Sequence, residues 1–519
     1  MPYRNRRSTY CNFILIFVVI KVGLNLLAIS HFGFHRDELL HLALGDHLDW
    51  GYKEVPPFIA LLAKVSTAVF GDSVFAARIF TTIGSGIIIW LTGLITVELG
   101  GRKFAITLAC LSMIFAPAFA ASGYLFQPVV FDQLWWVLTV WLIIKYINTS
   151  APAYIYLTGI AIGLGMLTKY TMAFFALSLI IGLLISKQRK VLLNKHVLGA
   201  IAVALLLFLP NLIWQWQHHF PVVGHMKELR STQLEYIKAG DFIMQQLMVN
   251  GIALFVWLVG LAFLLLSFRL RKFQFLGFAY IIIFIFLLKM DGKNYYLFGA
   301  YPMLFAAGGY GFDRLMKTAQ RPLRIAVVLF FALPNLILLP IVLPVLPLKQ
   351  TLAFFKFTQE QMPFLGFITT WEDRKQHPTT QDYADMLGWD EMAEKVAKTY
   401  HSLSPEERSR TQIFAENYGQ AGAIHHYRKQ YNLPDVVCLN SSFSLWAPQN
   451  IHGAYIIYIG DNDEETVKKL QSNSGSFQQA GEVEEPLARE KGTAIYLLTN
   501  PSPVLNEYYR KELTEISSQ

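Results

Sequence analysis

Cysteine is scarce in this chain. Three occur in 519 residues, Cys11, Cys110 and Cys438, with no CxxC pair and no spacing suited to a metal, so neither a disulfide framework nor a zinc site is supported. Charge is thin as well: Asp, Glu, Lys and Arg make up 15% of the residues, against about 25% in a typical soluble domain. Internal repeats and low-complexity segments are absent. So is the inverted pair of Gly/Pro-broken apolar helices that marks many transporters. A net charge of +8 raises nucleic acid as a partner, but the basic residues sit in short clusters between apolar runs. That is the pattern of cytoplasmic loops, and nucleic acid is excluded as a partner on that ground.

What the chain has in abundance is apolar sequence, 54% of its residues, with a mean hydropathy of +0.38. It reads as a polytopic α-helical membrane protein. About eleven stretches approach the length needed to cross roughly 30 Å of hydrocarbon. They lie near 11–30, 75–98, 104–122, 130–147, 152–168, 170–186, 196–214, 246–268, 273–289, 294–312 and 324–347. The basic N-terminus followed by the first run looks like a signal peptide. No small-x-small cleavage site precedes the next polar loop, so a retained signal anchor is expected.

Arg4, Arg6 and Arg7 place the N-terminus in the cytoplasm, and alternation then sends Arg102-Lys103, 187–195, 269–272 and 314–324 to the same side. The complementary loops fall on the outer face: residues 31–74, the start of the run near Val130, Lys169, "WQWQHHF" and "DGKNYY". After Leu348 the composition turns charged, and short β-type runs ("TQIFAE", "YIIYIGD", "TAIYLLT") alternate with helical periodicity ("WDEMAEKVAKTYHSL"). This predicts a membrane domain over 1–347 and a soluble α/β domain over 348–519 on the outer face.

The first outer loop, 31–74, gathers the ionisable groups. "DELLHLALGDHLDW" and "FIALLAKVSTAVF" read as interfacial helices, and Pro56-Pro57 stiffens the turn that holds Glu54 between them. Asp37 and Glu38 stand where the first span leaves the bilayer, where partial desolvation suits a carboxylate to accept a proton. The bland alternative is that they solvate a helix exit; the rigid turn and the second acid, Glu54, favour the functional reading.

The string "HRDELLHLALGDHLDWGYKEVPPFIALL" followed by "FGDSVFAARIF" resembles the first outer loop of bacterial glycosyltransferase family 39 proteins, relatives of protein O-mannosyltransferases and of the lipid A aminoarabinose transferase. Looser likeness runs through "FQPVVFDQLWW", "GLGMLTKYT", "LPNLIWQWQHHF", "KNYYLFGAYPMLFAAG", "QDYADMLGW" and "ENYGQAGAI". The resemblance implies a GT-C membrane glycosyltransferase with an inverting mechanism and a polyprenyl-phosphate sugar donor. It puts Asp37 in the position of the family's first-loop aspartate, a general base or acceptor-orienting group, and Glu54 in that of the second loop acid. Leu39-Leu40 and Val55 depart from the family's usual residues there. The acceptor would be a lipid, a polysaccharide or a protein, and the home a bacterial inner membrane.

A lipid-phosphate donor needs a cation for the leaving phosphate. Arg78, Lys169, Arg230 and Lys293 are the outer-face candidates, although Lys169 serves equally as a residue snorkelling to headgroups. Tyr295 and Tyr296 could flank a sugar or polyprenyl chain, or act as belt residues. Asp132 suits a helix cap better than a partner for one of those cations. His218-His219 beside Trp214 and Trp216 reads as an aromatic belt. Glu38 and His41 share a helical face and, with His35, could hold a divalent cation, but the expected chemistry requires no cofactor. The runner-up function is a lipid or polysaccharide transporter or flippase, which would place its ionisable groups near mid-bilayer; here they gather at one interface.

Overall fold

The computed structural model describes residues 2–29, 31–232 and 238–518. The side chains of Arg4, Arg6 and Arg7, which carry the orientation of the N-terminus, lie outside the described set. The membrane part runs in chain order through α1 (Pro2–Ile29), α2 (Arg36–Asp46), α3 (Phe58–Phe70), α4 (Val74–Glu98), α5 (Lys103–Phe115), α6 (Pro117–Ala121), α7 (Pro128–Thr149), α8 (Ala153–Met166) and α9 (Thr171–Ile185). It continues with α10 (Lys195–Gln217), α11 (Pro221–Thr232), α12 (Ala239–Met248), α13 (Leu254–Leu266), α14 (Gln274–Lys289), α15 (Tyr301–Leu315), α16 (Arg321–Ile337) and α17 (Leu348–Gln361).

Six described helical stretches are long and apolar enough to cross a membrane: Tyr10–Ile29, Val74–Glu98, Pro128–Thr149, Lys195–Gln217, Phe268–Lys289 and Arg321–Ile341. A seventh forms only if α12 and Gly251–Leu266 count as one span bent by 99°. The apolar helices α5, α8 and α9 are shorter; α8, with 14 residues, rises only about 21 Å against a hydrocarbon core of roughly 30 Å.

Two expected spans are interrupted for visible reasons. The run 104–122 breaks after Phe115 because Pro117 forces Ala116 into extended backbone (φ −61°, ψ 128°), and α6 restarts at the proline. The run 246–268 breaks at Gly251, whose φ of +52° suits glycine and where a Cβ would collide with the Asn335 side chain. Elsewhere glycines permit close helix contact. A Cβ on Gly260 of α13 would run into the Leu304 carbonyl of α15, the small-residue contact that membrane helices use in place of a hydrophobic driving force.

Beyond α17 come α18 (Gln381–Ala384), α19 (Trp389–Ser402), α20 (Pro405–Ser409), β1 (Thr411–Ala415), α21 (Tyr418–Tyr431), β2 (Val436–Val437), β3 (Tyr455–Gly460), α22 (Glu464–Ser472), β4 (Ser476–Glu482), β5 (Ala494–Thr499) and α23 (Pro503–Ser518). The five strands form one mixed sheet in the order β2-β1-β3-β5-β4, parallel across β2, β1 and β3 and antiparallel at β3–β5 and β5–β4. Phe414, Ile457 and Ile495 bring the alternation of β1, β3 and β5 into the cores on either face of the sheet.

This sheet unit is docked on the first loop, which changes the expected surroundings of α2. Residues Glu38 to Gly45 are buried. On one side Gly45 abuts α3, where an added Cβ would come within 2.8 Å of Ala63 Cβ; on the other, a Cβ on Gly422 of α21 would come within 2.8 Å of Leu39 Cβ. The leucines of α2, read from the sequence as a face lying among headgroups, are therefore packed against protein. A second core cluster joins Ala28 and Phe32 at the end of α1 to Tyr124, Leu339, Phe355, Tyr383 and Met386, tying α17 and α18 to the end of α1.

Candidate active site

The site is built on the N-terminus of α2. His35 caps that helix, its Nδ1 accepting the Asp37 N–H (3.1 Å) while its own N–H donates to Glu38 Oε2 (2.8 Å), a reciprocal capping box with histidine in the place usually held by serine or threonine. The cap makes two neighbouring acids different. Glu38 is fully buried and receives the Arg78 guanidinium in a fork, Nε on Oε1 (2.8 Å) and one terminal nitrogen on Oε2 (2.7 Å), together with the Phe126 N–H on Oε1 (2.8 Å). Burial pushes its carboxyl up, but Arg78 and the two peptide N–H groups more than offset that and leave it below its usual value.

Glu38 is expected from the sequence among the catalytic acids and Arg78 among the phosphate-binding cations; the structure places the two against one another. Each spends its charge on the other, and neither is exposed. The pair locks α2 to α4 and to the turn before α7. That turn is held from a second side by His41, whose Nδ1 lies 3.0 Å from the Phe126 carbonyl. Glu38 and His41 are thus engaged with Arg78 and the Phe126 carbonyl, and among the described residues no three His, Cys, Asp or Glu side chains are placed to hold a metal.

Asp37 points the other way and remains partly accessible. Its Oδ2 accepts from Gln127 Nε2 (2.9 Å) and its Oδ1 from the Tyr418 hydroxyl (2.8 Å). The Arg36 guanidinium lies over the Tyr418 ring at 4.4 Å. Burial raises the Asp37 carboxyl, while His35, His41, the Tyr418 hydroxyl and Arg36 outweigh it, so the group sits below its ordinary value. It is a carboxylate at neutral pH.

Glu54 stands in the Pro-Pro turn. Its Oε2 accepts from the Ser442 hydroxyl of the sheet unit, and its buried Oε1 has no hydrogen-bond partner among the described residues. The turn is fixed from α10: Asn211 Nδ2 donates to the Trp50 carbonyl (2.7 Å), Gln215 Nε2 to the Tyr52 carbonyl (3.4 Å), and Gly51 leaves room for the Trp214 ring. His218 stacks on Trp214 with centroids 4.1 Å apart, and the Trp214 ring is itself buried rather than presented to a membrane interface.

The remaining candidates divide. The Lys169 ammonium sits over the rings of Tyr295 (4.5 Å) and Tyr296 (4.7 Å), near enough for a cation–π attraction. Its loop is pinned to the Pro-Pro turn by the Phe58 N–H, which donates to the Leu167 carbonyl (3.0 Å). Lys293 lies in the fields of Glu372 and Asp37; burial lowers its ammonium and those carboxylates oppose the shift. The Tyr295 phenol in turn feels both Asp37 and Tyr418. Asp37, Lys169, Lys293, Tyr295 and Tyr296 thus form one neighbourhood.

Asp132 does not cap α7, which starts at Pro128. It bridges helices instead, accepting from Trp136 Nε1 (2.9 Å) and from Thr171 Oγ1 (2.8 Å), with Lys169 within its field. Arg230 is exposed on α11, and no contact to the other candidates is seen for it. Gln127, Tyr418 and Ser442 were not singled out from the sequence. Gln127 stands beside Pro128 and Tyr418 lies within the quoted "ENYGQAGAI", while Ser442 carries no local signal.

Comparison with known proteins bears on the fold. The dolichyl-phosphate-mannose-protein mannosyltransferase family matches residues 54–214, from Glu54 through α10. Lipid A galacturonosyltransferase RgtD of Rhizobium johnstonii is 25% identical over 213 residues, 38% of this chain and 41% of that protein; the chain thus spans less than half the length of that curated relative. The crystal structure of ArnT from Cupriavidus metallidurans bound to undecaprenyl phosphate superposes with a TM-score of 0.61 at 13% identity, covering 94% of this chain and 98% of that one. The cryo-EM structure of arabinofuranosyltransferase AftD from Mycobacteria matches with a TM-score of 0.53 at 12% identity, over 95% of this chain and 40% of that one. The fold is that of the GT-C glycosyltransferases.

Proposed function

We propose that this GT-C chain is an integral-membrane glycosyltransferase that moves a sugar from a polyprenyl phosphate to a lipid, polysaccharide or protein acceptor at the outer face of the membrane. The observation that carries the reading is the placement of Asp37: a carboxylate ionised at neutral pH, partly accessible, oriented by Gln127 and Tyr418, with Lys293 and Tyr295 within its field. In this reading Asp37 takes the proton of an acceptor hydroxyl while that oxygen attacks the anomeric carbon. The bond from that carbon to the phosphate oxygen breaks with inversion. The departing phosphate carries the negative charge, which Lys169 and Lys293 stabilise, and Tyr295 and Tyr296 flank the sugar or the first isoprene units. Glu38 and Arg78 hold the loop, and Glu54 orients the acceptor or keeps the sheet unit seated.

The membrane domain covers 1–347 with about eleven apolar segments, several broken or short, and the sheet unit lies on the outer side of a bacterial inner membrane with the N-terminus in the cytoplasm. No metal is needed by the chemistry as written. The transporter alternative finds no support in the relatives, which are transferases. Sugar transfer by purified protein, from a polyprenyl-phosphate sugar to an envelope glycolipid, tests the reading: Asp37→Asn should abolish transfer while leaving the protein folded, and wild-type activity in that variant would remove Asp37 as the base.

A further inference from the structure

The segment that joins the last span to the sheet unit has an unusual surface. In residues 370–516 only Leu445 (38%), Val504 (39%) and Tyr508 (45%) among the large apolar side chains are exposed. Within 348–369, by contrast, Phe364 is 75% exposed, Phe367 56% and Phe357 54%. The last two values lie in the range seen on the outward face of α16, where Ile325 and Ile337 are each 61% exposed and Phe330 54%, and Phe364 exceeds it. Three phenylalanines open to water on a soluble domain would be costly, since each ring carries roughly 150 Å² or more of apolar surface.

The position of the segment says what covers them. It follows the stretch Arg321–Ile341, a candidate span, after a six-residue turn, and α17 starts at Leu348. Its inner side is anchored independently: Phe355 packs on Tyr383 (centroids 5.6 Å apart) in the cluster that contains Ala28 and Phe32 at the end of α1. Two separate helix ends therefore place it at the boundary of the apolar zone. The exposed side of α17 also carries Lys349 and Lys356, the latter 3.9 Å from Glu360, and Lys349 supplies the charge expected next to anionic headgroups. An amphipathic element with aromatics at its apolar edge and lysines on its polar face rests in the interfacial plane.

We infer that residues 348–369 are a monotopic foot lying on the lipid surface, with Phe357, Phe364 and Phe367 in the boundary between headgroups and acyl chains. The soluble part of the chain then begins near residue 370, and the foot sets the height of the sheet unit, hence of Tyr418, above the membrane. This inference rests on the chain spanning a bilayer and is independent of sugar transfer.

The test uses the full chain in phosphatidylethanolamine/phosphatidylglycerol liposomes, with Cys11→Ser, Cys110→Ala and Cys438→Ala as background. Nitroxide labels on Phe364→Cys and Phe367→Cys are compared with Leu329→Cys on α16 and Lys468→Cys on α22. The foot should be open to oxygen and closed to a water-soluble nickel chelate, as Leu329 is. Nickel access equal to that of Lys468 overturns the inference. Protection from both reagents also overturns it, since it would mean cover by protein, a second copy or another partner. If the cysteine-free background does not fold, wild type can be photolabelled with a membrane-confined diazirine. Label on the tryptic peptide Phe357–Arg374 is expected, and a peptide as clean as those of α22 contradicts the foot.

Discussion

The Tyr418 hydroxyl donates to Asp37 Oδ1 at 2.8 Å, joining residues 381 positions apart in the chain. One stands on the first turn of a helix at the membrane, the other on the first turn of the helix that follows β1. The carboxylate at the centre of the proposed chemistry is therefore oriented partly by the sheet unit, and the two halves of the chain share one site.

Removing that hydroxyl should change the acidity of Asp37 as well as the rate. The bond favours the carboxylate, so Tyr418→Phe raises the folded pKa of Asp37. A hydrogen bond to a charged group contributes about 1.5–3 kcal/mol. Transfer by Tyr418→Phe should fall by about tenfold or more on that scale, and the acid limb of its pH profile should move to higher pH. A lower rate with an unmoved limb would make Tyr418 merely structural.

The Glu38–Arg78 pair should govern stability. Breaking a buried ion pair from one side leaves an uncompensated charge and costs about 3–5 kcal/mol. Glu38→Gln and Arg78→Met should each unfold at clearly lower temperature in detergent, and the double variant Glu38→Met/Arg78→Leu should recover part of the loss. Single variants as stable as wild type would contradict the clamp.

Lys169 and Lys293 should act on the donor side. Lys169→Met and Lys293→Met each remove a cation facing the leaving phosphate, a loss on the order of 10²-fold in kcat/KM when such a group acts in the transition state. Binding of the acceptor should be unchanged. An equal loss in acceptor affinity would place these lysines elsewhere in the mechanism.

Acid should loosen the seating of the sheet unit. Asp46 at the end of α2 accepts from His425 (3.2 Å) and Arg428 (3.3 Å) of α21. The His425 hydrogen bond leads the effects that hold its carboxyl far below the usual range, with burial opposing. A depressed folded value stabilises the contact in full above the free carboxyl's own value of about 3.9, and that stabilisation disappears as the pH falls through the folded value. The protection of the α21 amides, taken relative to their intrinsic exchange rate at each pH, should fall in wild type as the pH drops below about 4. In Asp46→Asn it should be lower already at neutral pH and lose less on acidification.

Much of this architecture is legible in the residues. The apolar runs mark most of the helices, the alternation after residue 410 marks β1, β3 and β5 but not the polar β4, and the acids of 31–74 mark the loop of the proposed site. The gaps have physical causes. Asp37 and Glu38 are equivalent by composition, and only the cap at His35 decides that one meets Arg78 while the other faces the site. The leucines of α2 suit a lipid surface as well as they suit Gly422 and its helix, and local pattern does not say which covers them. The breaks at Ala116 and Gly251 lie inside runs whose mean hydropathy passes for continuous spans. Ser442 meets Glu54 only through tertiary docking.

The most direct measurement is mass spectrometry of envelope glycolipids, polysaccharides and glycoproteins from a deletion strain carrying wild type or Asp37→Asn at equal expression. The account predicts that one glycan lacks a single sugar in the deletion, that wild type restores it, and that Asp37→Asn does not. Full restoration by Asp37→Asn would contradict the assignment of Asp37 as the base and, with it, the site described here.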